Sequence, residues 1–220
     1  MPKTTRKRKG RLKDPWKEKE WYTVVASPPF DDVDLGETPA NNPESLIGRV
    51  METTLKDVTN DFSKQHVKLY FQIYDVKGGI AYSQFKGHDL ATDYMRSRIR
   101  RGTSRVDNIT TVQTKDGYRI QVQSVVITSK RAKTSQIDAI REIMGKIVSQ
   151  TAENSDFNEF IREHVLGGLA SEIQREAKKI TRIRRVEIKK TKVLSRPKTE
   201  VPTQVETPGK EQKAEPVEAG

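Results

Sequence analysis

The side chains with the greatest capacity for acid–base or metal chemistry are few and far apart in this sequence. The three histidines are His66, His88 and His164, and none is spaced from another as HxH or HxxxH, the spacings that bring two ligands to one metal ion. Each histidine is therefore interpreted as a surface or interface residue. The glycines do not form a phosphate-binding loop. The sequence predicts no catalytic residue, no metal ligand and no cofactor.

One triplet, Glu187-Ile188-Lys189, resembles part of a metal-dependent nuclease site, in which a carboxylate binds the metal ion and a lysine stabilises the attacking hydroxide. Such triplets arise readily by chance in a chain of which 32% is charged, and no clear companion carboxylate accompanies this one. The favoured interpretation is a strand whose charged residues alternate toward solvent. A nuclease remains the enzymatic alternative.

The basic residues carry a stronger signal. Lys and Arg number 41 against 30 Asp and Glu, a formal net charge of +11. Residues 175–196 alone hold ten bases and two acids, a net charge of +8. Because lysine and arginine neutralise phosphates and release condensed counterions, we expect the chain to bind a polyanion. No helix-turn-helix, zinc finger or RNA-stacking aromatic pair indicates base-specific reading, so the expected contacts are to the shape and backbone of folded RNA.

The candidate RNA-binding residues fall into four groups along the chain, and arginine among them adds forked hydrogen bonding to phosphate. The first thirteen residues have seven cations and no acid, and this arm is predicted to be disordered until it meets RNA. In chain order the candidates are Lys7, Arg8, Lys9, Arg11, Arg96, Arg100, Arg101, Arg105, Lys130, Arg131, Lys133, Arg182, Arg184, Arg185 and Lys189.

The composition restricts the class of protein further. A chain of 220 residues accommodates one large domain with tails. The absence of cysteine excludes disulfides and Cys-ligated zinc. No apolar run approaches the ~18–20 residues that span a bilayer, and the amino terminus lacks the apolar segment of a secretory signal. We expect a cytoplasmic protein.

The elements that must position the basic groups can be predicted from apolar periodicity. Residues 21–26, 50–58 and 67–76 have the composition or alternation of strands, and residues 39–43 are predicted as a loop. Two glycine turns then predict hairpins, which implies antiparallel pairing. These turns are Gly78-Gly79 and Asp116-Gly117.

Helices are predicted mainly in the carboxyl-terminal half. The exception is an arginine-rich helix over Leu90 to Arg101, with Asp89 as its cap and Gly102 as its stop. The others begin at capping boxes and are followed by a final strand from Arg184. These capping boxes are Ser135 with Asp138 and Asp156 with Glu159, and Gly167-Gly168 is expected to break or bend the second helix.

The chain is accordingly predicted to have three parts. Residues 1–18 form the basic arm, and residues 19–196 form a single α+β domain that binds RNA. Residues 197–220 form a disordered, proline-containing acidic tail with five glutamates and three lysines.

The order of several short motifs resembles the archaeal and eukaryotic S3Ae family of small-subunit ribosomal proteins, also called S-one-e, and its archaeal branch in particular. The resemblance covers roughly residues 13–196 and rests on the combination of motifs, since none of them is specific alone. The motifs are Lys19-Glu20-Trp21-Tyr22, Gly48-Arg49-Val50-Met51-Glu52, Leu55-Lys56-Asp57, Lys86-Gly87-His88-Asp89-Leu90, Thr114-Lys115-Asp116-Gly117-Tyr118 and Ile140-Arg141-Glu142-Ile143-Met144.

The resemblance implies a strand-rich, barrel-like α+β body and a structural, non-catalytic role. It also implies a position on the platform of the small ribosomal subunit near the mRNA exit. The implied partners are small-subunit rRNA, neighbouring ribosomal proteins and mRNA near the exit. A general nucleic-acid-binding protein is the other alternative to this function.

Overall fold

The computed structural model of this protein describes residues 16–17 and 19–197. Eight strands lie within these residues: β1 (Glu20–Val25), β2 (Asp34–Ala40), β3 (Val50–Thr54), β4 (Val67–Lys77), β5 (Ile80–Leu90), β6 (Arg105–Gln113), β7 (Arg119–Thr128) and β8 (Ile183–Ser195). The helices are α1 (Leu55–Thr59), α2 (Thr92–Arg98), α3 (Thr134–Asn154), α4 (Phe157–Glu159), a π-helical segment (Phe160–Gly168) and α5 (Leu169–Ala177). Short 3₁₀ turns cover Pro28–Phe30, Pro43–Leu46 and Phe62–Lys64.

The strands form one mixed sheet that branches at β5. Its main path runs β2-β1-β5-β8-β7-β6, and β4 pairs with β5 on one side and β3 on the other. All pairs are antiparallel except β1–β5, which is parallel. The α+β class, the antiparallel strand-rich body, the carboxyl-terminal helices and the final strand are therefore confirmed.

The sheet has an inner face that the helices cover. Val67, Leu69 and Phe71 of β4 are buried on this face, as their alternation predicts. Ile73 follows the same alternation but is buried in a second cluster, with Tyr22, Val24, Ala40, Leu46 and Ala81. Helix α3 packs there with its own apolar side, which comprises Ile140, Met144, Val148 and Ala152, all fully buried. The predicted hairpin turns are also present, and the positive φ angles at Gly78, Gly79 and Gly117 explain why glycine occupies them.

Strand β8 lies between β5 and β7 and contains three β-bulges. The residues left without a partner on β7 are Arg184, Lys189 and Leu194. Each bulge adds one residue before the next inward-facing position, so the buried positions are 183, 186, 188 and 191 instead of every second residue. The basic doublets Arg184-Arg185 and Lys189-Lys190 therefore lie outside the core without disturbing it.

Helix α2 covers one end of the outer face. Val125 and Ile127 of β7 point to this face by alternation, yet both are buried, together with Met95 of α2. The Tyr94 hydroxyl donates to Glu187 Oε1 at 2.9 Å, which holds α2 against β8. The remainder of the outer face has no helix over it among the residues that the structure describes.

Two predicted helix starts were wrong. Asp89 and Leu90 belong to β5, because Asp89 pairs across the sheet with Lys190 and the β4–β5 ladder continues to Leu90. Helix α2 therefore begins at Thr92 and ends at Arg98. Helix α3 begins directly after Lys133, whose N–H donates to the Gln136 side chain, so the expected cap Ser135 already lies inside the helix.

Three other expectations need correction. The strand over residues 50–58 ends at Thr54, where Thr54 and Asp57 form a capping box that starts α1. Residues 39–43 are not all loop, because Pro39 and Ala40 complete β2, an edge strand in which proline is tolerated. Of the two outcomes expected at Gly167-Gly168, a break is wrong, because helical backbone continues through the π-helical segment into α5, and a bend stays a prediction.

Candidate nucleic-acid interface

Three loops of this protein meet at one end of the sheet. Since β7 is antiparallel to both β6 and β8, its last residue lies beside the first residues of those strands. The backbone N–H of Thr128 donates to the Ser104 carbonyl at 3.0 Å. The N–H of Ser129 donates to the Arg182 carbonyl at 2.9 Å. The loops that precede β6, follow β7 and precede β8 are therefore tied together by backbone hydrogen bonds.

Side-chain hydrogen bonds strengthen the same junction. The Thr128 hydroxyl lies 2.6 Å from the Lys130 carbonyl, and Ser104 N–H donates to the Thr128 hydroxyl at 2.9 Å. The N–H of Ala132 donates to Ser104 Oγ at 3.0 Å. Thr128 is fully buried, so these bonds are shielded from competing water. The three loops are thus held in a defined relation to one another.

We call the cations on these three loops and their flanking residues the basic end. They come from three of the four groups that are separate in sequence. The candidates that the structure brings together here are Arg100, Arg101, Arg105, Lys130, Arg131, Lys133, Arg182, Arg184 and Arg185, and all of them are exposed.

Two of these arginines are neutralised within the protein. Arg105 Nε lies 2.9 Å from Asp107 Oδ2, and Arg185 Nε lies 2.5 Å from Glu187 Oε1. The hydrogen bond to Glu187 raises the pKa of the Arg185 guanidinium. Each partner carboxylate stands two positions along the same strand, on the same face. These two arginines are therefore less available to phosphate than their sequence positions suggest.

The other cations of the basic end have no such partner. These cations are Arg100, Arg101, Lys130, Arg131, Lys133, Arg182 and Arg184. None of them forms a salt bridge with a carboxylate of residues 16–17 or 19–197. The amino terminus of the 21-residue helix α3 follows Lys133 directly, and its free N–H groups and partial positive charge add to the same field. This end of the molecule has the electrostatics of a phosphate-binding surface.

The remaining candidates lie elsewhere. Arg96 is exposed on the solvent side of α2. Lys189 occupies the second bulge of β8, five residues along the strand from Arg184. The arm candidates Lys7, Arg8, Lys9 and Arg11 lie outside the residues that the structure describes, as does the acidic tail from residue 198. RNA contact by any of these residues stays a prediction.

The predicted surface placement of the histidines was wrong for His88, whose side chain is buried in the seam between β5 and β8. Its Nε2 lies 3.0 Å from the Ile188 carbonyl, and Nδ1 bonds the Thr191 hydroxyl. In the neutral ring, Nε2–H donates to the carbonyl and Nδ1 accepts from the hydroxyl. Burial lowers the pKa of His88 to about 4. Both ring nitrogens therefore form hydrogen bonds that join β5 to β8.

The nuclease alternative receives no support from the geometry. Glu187 accepts hydrogen bonds from Tyr94 and Arg185, so its carboxylate is already committed to α2 and β8. Among the residues that the structure describes, no group of three or more His, Asp or Glu side chains could hold a metal ion.

No helix in that part of the chain is long and apolar enough to span a membrane.

Within the described residues, the sheet carries cations without acidic partners on three joined loops, which is the charge distribution of a polyanion-binding protein. The model of the Ribosomal S3Ae family matches residues 7–197, and the chain belongs to this family. It is similar to the small ribosomal subunit protein eS1 of Methanopyrus kandleri, with 50% identity over 190 residues, 84% of this chain and 90% of that protein.

Other archaeal relatives have the same name. The small ribosomal subunit protein eS1 of Methanobrevibacter smithii is 46% identical over 189 residues, 86% of this chain and 98% of the relative. The small ribosomal subunit protein eS1 of Aeropyrum pernix is 48% identical over 190 residues, 84% of this chain and 89% of the relative. The family predicted from the ordered motifs is confirmed, and so is the expectation of a structural ribosomal protein that is not an enzyme.

Proposed function

We propose that this protein is a structural constituent of the small ribosomal subunit and that its basic end binds rRNA. The observation that carries the proposal is the set of exposed, unpaired cations on three loops tied by backbone hydrogen bonds. An ordered array of cations loses less conformational freedom on binding than cations on free loops, so more of each phosphate contact appears as affinity.

The chemistry of the basic end favours RNA backbone over base edges. Arginine can grip one phosphate with two parallel N–H bonds, whereas lysine acts as a point charge. Each phosphate neutralised releases condensed counterions, which makes binding strongly salt-dependent. Arg182 and Arg184, on either side of the first residue of β8, are placed to contact neighbouring phosphates while the sheet fixes their separation.

Family membership suggests where the protein lies. We propose that it occupies the platform near the mRNA exit of cytoplasmic ribosomes, beside neighbouring ribosomal proteins and within reach of mRNA. The three-part division of the chain is also part of the proposal, with the arm of residues 1–18 adding Lys7, Arg8, Lys9 and Arg11 to the rRNA contacts and the single domain supplying the rest.

Ultraviolet crosslinking of purified small subunits that carry the protein tests this proposal. We expect rRNA nucleotides attached to peptides that span residues 99–105, 128–134 and 178–186, and all from one rRNA region. A chain that sediments apart from small subunits, or crosslinks that avoid all three peptides, would contradict it. Duplex DNA of equal length at matched salt is the control, since a general nucleic-acid-binding protein would bind it as tightly as the rRNA region.

A further inference from the structure

The uncovered part of the outer sheet face contains a hollow that the basic end does not explain. Tyr70, Gly87 and Lys192 are direct neighbours on the adjacent strands β4, β5 and β8. By alternation all three point to the outer face, so a residue without a side chain separates an aromatic ring from a lysine. Gly87 belongs to the motif Lys86-Gly87-His88-Asp89-Leu90, to which the proposed function gives no role.

Glycine is required at this position by the close approach of β8. A Cβ on Gly87 would stand 2.3 Å from the backbone oxygen of Thr191, far inside contact distance. Because Gly87 has no side chain, only backbone covers the sheet between Tyr70 and Lys192. The resulting hollow has a volume of about 160 Å³ and is lined by Val50, Tyr70, Lys86, His88, Lys190 and Lys192, among others.

The dimensions of the hollow suit a flat ring. Two strand spacings separate the backbones of Tyr70 and Lys192, roughly 9.5 Å in all. An aromatic ring that stacks on another needs about 3.5–4.0 Å between carbon atoms, so one planar ring fits beside Tyr70 with the backbone of Gly87 as its floor. Val50 is 40% exposed at the same place and adds apolar surface.

The rim of the hollow is cationic. Lys190 pairs with Asp89 at 2.9 Å, and Lys68, one row further along, pairs with Glu52 at 2.6 Å. Lys86 and Lys192 form no salt bridge with any carboxylate of the described residues. β5 has a bulge at Lys86, because Gly87 pairs with Tyr70 and Phe85 pairs with Phe71, which leaves Lys86 without a residue opposite it on β4. Lys86 therefore lines the hollow beside Gly87.

We propose that this hollow binds one unpaired nucleotide of single-stranded RNA. The base stacks on Tyr70 above Gly87, and Lys86 and Lys192 bind the flanking phosphates. A duplex does not enter, because its bases are already stacked on one another inside the helix. The hollow is thus a second RNA-binding surface that differs from the basic end in ligand: it selects unstacked bases, whereas the basic end contacts backbone phosphates.

Binding of a fluorescein-labelled uridine octamer to the full-length protein tests this inference, with excess unlabelled duplex RNA present to occupy the basic end. We expect Tyr70→Leu to weaken octamer binding about five- to hundredfold, the range measured for loss of one base–aromatic stack. The double variant Lys86→Gln/Lys192→Gln keeps the sheet core intact. Loss of two phosphate contacts on single-stranded RNA predicts about 25-fold weaker binding in 0.1 M salt.

Lys146→Gln is the matched control, because Lys146 is an exposed lysine on α3, paired with Glu142, on the opposite side of the sheet. It should leave octamer affinity unchanged, and neither hollow variant should alter affinity for duplex rRNA. This second readout separates the inference from the proposed function, since failure of the basic end would appear only with duplex rRNA.

Crosslinking gives an independent result. A 4-thiouridine octamer should attach to peptides that contain Tyr70 or residues 86–92 of the full-length protein. Attachment confined to the arm or the basic end would overturn the inference, and so would equal octamer affinity in all the variants. Displacement of the octamer by an equimolar glutamate-rich peptide would also overturn it, because the hollow would then be a site for acidic protein segments.

Discussion

The two halves of strand β8 perform different tasks with similar residues. Residues 183–187 begin at the basic end, where the side chains of Arg182 and Arg184 are exposed and have no acidic partner among the described residues. Residues 188–195 join β5 to β7, and there Ile188 and Thr191 contact the buried His88. One strand therefore carries proposed RNA contacts at its first end and joins β5 to β7 along the rest of its length.

The comparison teaches that charge in a sequence overstates charge available for binding. Arg184 and Arg185 are adjacent. Arg184 occupies a bulge, lies opposite no residue of β7 and forms no salt bridge with a described carboxylate. Arg185 lies on the same strand face as Glu187 and forms an ion pair with it. Two identical side chains thus have different availability because of strand register alone. Tests of the comparison should separate RNA affinity, which we propose depends on the first half, from the stability of the β5–β8 pairing, which depends on the second.

The largest effect is expected from charge reversal at the basic end. The variant Arg131→Glu/Arg182→Glu/Arg184→Glu should bind its rRNA region about 500-fold more weakly in 0.1 M salt, because each lost phosphate contact removes about 0.9 log units there. The slope of log affinity against log salt should flatten by about three units. Filter binding over a salt series measures both quantities.

A variant with the same change in net charge is the control for that experiment. Lys64, Lys77 and Lys146 are solvent-accessible lysines outside the basic end, each paired with a nearby carboxylate. Their joint replacement by glutamate should change rRNA affinity far less. Equal losses in the two triple variants would show that net charge, and not the arrangement at the basic end, determines binding.

The second effect concerns pH and the β5–β8 seam. The folded pKa of His88 is about 4, below its ordinary value near 6.5, so the unfolded chain binds the extra proton more readily. The associated stability is complete above about pH 6.5 and is lost as the pH falls toward 4, up to roughly 3 kcal/mol.

Urea unfolding of the wild type and of His88→Gln at several pH values isolates this contribution. Carboxylates titrate in the same window in both proteins, so the difference between the two stability curves belongs to His88. We expect the curve of the variant to be flatter between pH 6.5 and 4. Parallel curves would mean that His88 is not buried in the neutral form.

A smaller loss is expected from Gly87→Ala. The new Cβ would collide with the Thr191 carbonyl at 2.3 Å, so β5 and β8 must separate slightly. We expect a decrease of about 2 kcal/mol in the free energy of unfolding. Gly145→Ala is the comparison, because its Cβ would meet Asn108 Nδ2 at 3.4 Å and alanine favours helix. An equally large decrease in the free energy of unfolding for Gly145→Ala would contradict the expectation that the close approach of β8 to Gly87 causes the loss.

The smallest effect is expected at the boundary between the two halves, where Tyr94 bonds Glu187. Tyr94→Phe removes one hydrogen bond of 2.9 Å and should cost about 1 kcal/mol of stability, since Arg185 still satisfies the carboxylate. Thermal unfolding measures this change. Tyr82→Phe, at a 37% exposed tyrosine of β5, should change stability very little, and rRNA affinity should be unaltered in both variants.

Much of the fold could be predicted from local signals. The alternation of β4 identified its buried face, and glycine turns identified two hairpins, because both depend on residues that are close in sequence. The end of β5 was missed because Asp89 resembles a helix cap until its pairing with Lys190, which is 101 residues away, is known. The π-helical segment was not predicted, although Gly167-Gly168 at its end were expected to disturb the helix.

The candidate site was predictable in composition but not in arrangement. The sequence identified which groups are basic, whereas antiparallel pairing determines that three of them meet at one end. Whether Arg105 or Arg184 is paired depends on strand faces and bulges, which composition does not reveal. The hollow above Gly87 was missed because its lining comes from four strands that are separate in sequence.

The place of β8 in the chain has a consequence for biosynthesis. Residues 20–90 and residues 105–128 form two groups of paired strands that are joined to one another only when β8 inserts between β5 and β7. Because β8 ends at Ser195, the sheet of a nascent chain stays incomplete until residue 195 has emerged. Arg182 and Arg184 reach their places at the same moment, so a nascent chain without β8 has an incomplete basic end.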